Sequence, residues 1–164
     1  KTVLLVGFPT LNLAVVLAVF LVAAGAGSAV SSRFVERLGR RAVALVLLGL
    51  AVLLLFLVPL LDALLPLFDP LSLTWRCVLL SLALAPFAFL MGMPFPMGIR
   101  LLDARAAPSI PVFWGLNGIA SVLGSTLAVI SALSWGFVAA MLWGTALYLL
   151  AWSMSAGLQR QAST

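Results

Sequence analysis

Few residues in this chain could do chemistry. Four acids, one cysteine and no histidine occur in 164 residues. A lone Cys77 makes no internal disulfide, and without histidine or a carboxylate group beside it makes no metal site. It reads as a small apolar residue in a helix wall. Asp62 and Asp69 share one short stretch, while Glu36 and Asp103 stand among arginines. No pair of acids is placed for general acid–base work, and no Gly-rich loop is built to cradle a phosphate. No catalytic, cofactor-binding or metal-ligating residue is therefore expected in this segment.

Two polar or irregular features remain. In Met91–Arg100, MGMPFPMGIR, Pro94 and Pro96 each remove a backbone donor and disfavour helix in the residue before. Broken backbone at membrane depth must be buried in protein or line a wet cavity, and broken helices often mark transporter sites. A structural kink competes with that reading. The second feature is Asn117, read as the one strongly polar side chain inside an apolar span. It serves either as an interhelical hydrogen bond or as part of a substrate cavity. Pro94, Phe95, Pro96 and Asn117 are the candidates for a cavity or hinge, placed between a broken third helix and the fourth.

The elements that must position them follow from composition. The chain is 65% hydrophobic and 8% charged, with a mean hydropathy of +1.29, against about 25% charged residues in soluble domains. Only lipid tolerates so much apolar surface. At roughly 20 residues per crossing, five spans emerge: about 3–30, 42–61, 75–102, 112–133 and 136–154. The expected fold is an all-α integral membrane bundle, its third helix broken by Pro94 and Pro96, and 1–164 forms a single membrane domain. Beginning at Lys1 without a Met or a signal-peptide layout, the chain reads as a fragment of a longer protein.

Charge orients the bundle. Arg33, Arg37, Arg40 and Arg41 fall in a first loop, Ser32–Arg41, and Arg100 and Arg105 in a third; Arg160 lies in the tail. The second loop carries Asp62 and Asp69. By the positive-inside rule the Arg-rich loops are cytoplasmic and Lys1 is outside. The net charge of +5 is then a topology signal, and no nucleic-acid partner is expected. Trp75, Trp114, Trp135 and Trp152 fall near span ends, where the headgroup layer favours them. Small or polar residues recur at helical spacing in the first span (Ala14, Ala18, Gly25, Ala29, Ser32) and in the fourth (Asn117, Ser121, Gly124, Ser125, Ala128, Ala132). Because close packing joins helices in lipid, the fourth span is expected at the centre of the bundle.

Two resemblances rest on these motifs. Glu36, Arg37, Gly39, Arg40 and Arg41 resemble a loop motif of major facilitator transporters, with Ser32 where that family prefers Gly and Glu36 where it prefers Asp. Over nearly the whole chain, Gly7–Arg33, Met91–Leu102 (MGMPFPMGIRLL) and Trp114–Phe137 resemble the C-terminal membrane region of bacterial membrane-bound spermidine synthase-like proteins, fusions of a facilitator-like part and a spermidine synthase-like part. The resemblance implies a bacterial inner-membrane location. It also implies a soluble partner domain in the same parent chain, an aminopropyl- or methyltransferase type using decarboxylated or ordinary S-adenosylmethionine. None of that domain's motifs occurs here. The segment is expected to be a non-catalytic membrane anchor that presents a substrate cavity for a polyamine-like or membrane substrate. The alternative is part of a facilitator-like transporter for a small cationic solute. Lipid and other transmembrane helices are the remaining partners.

Overall fold

In hydrocarbon, a lone apolar segment satisfies its backbone N–H and C=O groups by forming a helix. The computed structural model of this chain, which describes residues 9–68, 71–102 and 109–161, contains α-helices and no strand among those residues. They are α1 (Pro9–Leu38), α2 (Arg40–Phe68), α3 (Leu73–Met91), α4 (Pro94–Arg100), α5 (Ile110–Trp135) and α6 (Phe137–Gln161). Among the described residues, five stretches are long and apolar enough to cross a membrane, α3 and α4 together forming the third. The chain is an all-α, multi-pass membrane protein. Lys1, Asp69, Asp103 and Arg105 lie outside the described residues, as does the side chain of Arg160.

The helices run further than apolar character alone indicates. Ser32–Arg41, which reads as a loop, is helical except for Gly39. Arg33, Glu36, Arg37 and Leu38 are sound helix formers, so their charges mark the edge of the hydrocarbon without ending the helix. With 30 residues, α1 is about 45 Å long, well beyond a hydrocarbon core of about 30 Å. The reversal into α2 takes one residue, Gly39, at φ 56°, a left-handed conformation in which a Cβ is strained. Gly136, at φ 86°, performs the same task between α5 and α6.

The centre of the bundle is α2, not the fourth span. Of its most apolar stretch, Arg40–Leu57, 44% is buried, against 6% for α5. Val46, Leu50, Leu54, Leu57 and Leu61 recur at steps of three and four and are all buried, forming one continuous face. α6 packs along α2, and α1, α3 and α4 also meet it. The backbone of α5 closely follows only α6, and residues 111–130 are exposed throughout. The small-residue stripe of α5 misleads because small side chains permit close approach without choosing a partner. The branched side chains of α2 instead fill the space between four helices.

A second close pair is α1 with α3. Phe20 and Phe87 meet edge to face at 6.1 Å between ring centroids. Near the end of α3 the two backbones touch. A Cβ on Gly27 would strike the carbonyl group of Phe89, and one on Gly92 would strike the backbone of Ala24. The two glycines form a reciprocal notch that lets the helices approach to backbone contact.

Candidate functional site

The break in the third span sits inside this notch. α3 ends at Met91, and α4 begins at Pro94. Pro94 cannot donate to the carbonyl of Leu90, and Pro96 cannot donate to that of Gly92. Leu90 instead accepts from the Met93 N–H at 3.1 Å, and Gly92 N–H donates to Ala88 at 3.2 Å. The chain resumes helically when Met97 N–H reaches the carbonyl of Met93 at 3.1 Å. Pro94 occupies the first position of α4, where a missing N–H costs least.

The joint is sealed by its neighbours. Met93 and Met97 are fully buried and belong to the same apolar cluster as Ala42, Val46 and Leu50 of α2. The Leu90 side chain reaches to within 3.2 Å of where a Cβ on Gly49 would stand. Backbone that has lost helical donors is thus covered by α1 and α2, which meets the requirement for irregular structure at membrane depth.

Pro94, Phe95 and Pro96 are half-buried on α4. Phe95 stacks edge to face on Trp114 of α5, with centroids 4.8 Å apart, and so ties the break to the start of the fourth span. Asn117 lies three residues beyond Trp114 but is exposed. Among the described residues no hydrogen bond joins its side chain to another helix; its main-chain carbonyl accepts from Ser121 Oγ at 2.7 Å. The cavities described below are lined by other residues. The broken helix and the fourth span therefore meet through an aromatic pair, and Asn117 is not drawn into a shared cavity with Pro94, Phe95 and Pro96.

A strongly polar side chain outside the candidate set is also buried. Asn12, within the first span, is 6% exposed on the side of α1 whose Leu11, Val15 and Val16 pack on the core. Its signal is available: an asparagine well inside a run of apolar residues, as Asn117 is. It is Asn12, not Asn117, that the bundle encloses.

Among the described residues, cavities open on the spans in two places of interest. One, of about 360 Å³, lies between α5 and α6 and is lined by residues including Gly124, Ala128, Ser131, Trp135 and Gly144. The other, of about 400 Å³, is a shallow groove between α1 and α3 that includes Ala18, Val22, Ser81 and Leu82. Both are almost wholly apolar. Cys77 is a half-buried free thiol whose carbonyl accepts from Ser81 Oγ at 2.7 Å. No group of three histidine, cysteine or acidic residues gathers among the described residues.

Charge sits at the helix ends. Arg33, Arg37, Arg40, Arg41 and Arg100 are all exposed. Arg37 and Arg100 stand in the last turns of α1 and α4, where a cation complements the helix dipole. Five alternating crossings put the α1–α2 turn and the end of α4 on one side of the bundle. Arg76 stands at the opposite end, its Nε donating to the carbonyl of Leu71 at 3.0 Å. Comparisons with family models, with curated proteins and with solved structures find no match to this chain.

Proposed function

We propose that this chain is the membrane-anchoring, non-catalytic domain of a spermidine synthase-like fusion protein of a bacterial inner membrane. Its Arg-rich ends would face the cytoplasm, the side on which a soluble transferase domain would find S-adenosylmethionine-type substrates. The motif resemblance suggests the parent. The observation that favours anchoring over transport is the closed joint: Met93 and Met97 are fully buried, and Gly27 and Gly92 lock α1 against α3. A transport gate needs a break with two arrangements. Interlocked backbones resist such a change, because packed cores are not continuously deformable.

The test uses the full-length parent protein in native membranes. Anchoring predicts that removing this region releases the soluble domain from the membrane with turnover per molecule intact. It also predicts that Pro94→Ala and Asn117→Ala leave turnover per folded molecule intact, with Pro94→Ala altering stability and Asn117→Ala, at an exposed position, changing it little. Lost turnover in a folded, inserted Asn117→Ala protein would instead give this region a part in substrate handling. A parent holding only further transmembrane helices, with solute uptake abolished by locking the break, would replace anchoring with transport.

A further inference from the structure

We propose that the cleft between α5 and α6 is a retained-lipid site, taking one acyl chain of a bilayer phospholipid with its ester carbonyl at Ser131. This rests on the multi-pass membrane fold and is independent of the parent protein's activity.

Three observations converge. The first is length. The cleft runs along α5 from Trp135 to Gly124, eleven residues or about 16 Å of helix. Of this, the seven residues from Ser131 to Gly124, about 10 Å, lie inward of the ester and would hold the first part of the chain, within a leaflet about 15 Å deep. The second is shape and lining. The cleft holds about 360 Å³, within the usual range of small-molecule sites. Gly124 and Ala128 keep it open by lacking bulk, while the largely exposed Trp135 and Trp143 flank it.

The third is Ser131. It lines the cleft, is 6% exposed, and its Oγ is buried without a hydrogen-bond partner. Other hydroxyls on these helices donate back to their own backbone: Ser121 and Thr126 on α5, and Thr145 on α6. A buried hydroxyl without a partner is costly, and serine changes rotamer readily. Ser131 lies five residues, about 7.5 Å, below the α5–α6 reversal at Gly136. At that depth the ester groups of a phospholipid meet its chains, so the hydroxyl can donate to an ester carbonyl while the methylenes follow the cleft toward Gly124.

The full chain, reconstituted in phosphatidylethanolamine–phosphatidylglycerol vesicles containing a trace of ester phospholipid with a diazirine on its acyl chain, tests this by photolabelling and peptide mapping. Label on residues 124–147 should exceed that on the lipid-facing Leu13, Leu17 and Leu21 of α1 about two- to tenfold, the range one neutral hydrogen bond supplies. Ser131→Ala should remove the excess and leave α1 labelling unchanged. An ether-linked probe, which lacks the carbonyl, should label the native cleft no better than the ester probe labels S131A. Ala128→Leu, which fills the cleft, should abolish the ester probe's excess. Equal labelling of α1 and the cleft, a label that survives A128L, or crosslinking of the cleft to a second copy of the chain would each overturn the proposal.

Discussion

Gly27→Ala should destabilise the bundle although alanine is the better helix former. The added Cβ would meet the backbone of Phe89, with its carbonyl carbon at 2.9 Å, and no side-chain rotation relieves a clash with backbone. The reciprocal change, Gly92→Ala, places a Cβ 2.7 Å from both the Cα and the carbonyl carbon of Ala24. Overpacking of this kind costs about 1–3 kcal/mol, with the upper end apt for backbone against backbone. At Gly27, in mid-helix, the gain in propensity returns up to about 1 kcal/mol, leaving a net loss of about 2 kcal/mol. That is about a thirtyfold shift toward the unfolded state. Gly25→Ala is the internal control, because a Cβ there has nothing within 4 Å and should be neutral or slightly stabilising. The double variant G27A/G92A should lose less than the sum, since both changes part the same two helices. The assay is unfolding of the purified chain in detergent, followed by reaction of the half-buried Cys77, the chain's single cysteine, with a thiol dye. If G27A unfolds no more readily than G25A, the backbone notch is refuted.

Other expectations follow from burial and backbone geometry. Gly39→Ala and Gly136→Ala force a Cβ into positive φ and should each cost about 1–2 kcal/mol in the same unfolding assay. Leu50→Ala, at a fully buried position on α2, should cost about 2 kcal/mol or more through the cavity it leaves. Leu127→Ala, at 63% exposure on α5, should stay within about 0.5 kcal/mol; equal losses at the two sites would deny α2 its central place. Asn12→Leu should lower stability more than Asn117→Leu when the two are compared by melting temperature, because Asn12 is enclosed and Asn117 exposed.

What could be read from residues alone was the local physics. Five spans are visible because each crossing needs an unbroken run of apolar side chains. The break is visible because Pro94 and Pro96 visibly lack donors. Arg33 and Arg37 misled about where α1 ends, since charge stops a membrane span and not a helix. Which helix lies at the centre depends on contacts between distant segments, and the Ser121–Ala132 stripe carries no address for its partner. The same holds for the candidate site. Phe95 and Trp114 are 19 positions apart in sequence, and nothing in either residue announces the other. Gly27 and Gly92 look like two of many glycines until the backbones of α1 and α3 are seen to touch. Asn12 was as legible as Asn117, and its burial could not be told from its type.

The most direct test of a five-span anchor with a closed joint is single-cysteine accessibility in native membranes, in a Cys77→Ser background. The substitutions are Arg37→Cys and Arg100→Cys at the basic ends, Ser72→Cys at the opposite end, and Met93→Cys and Met97→Cys at the break. The account predicts that an impermeant maleimide reaches Ser72→Cys from outside intact cells and Arg37→Cys and Arg100→Cys only from the cytoplasmic side. It predicts no labelling of Met93→Cys or Met97→Cys from either side. Labelling of the basic ends from outside, or ready labelling at the break, would contradict it.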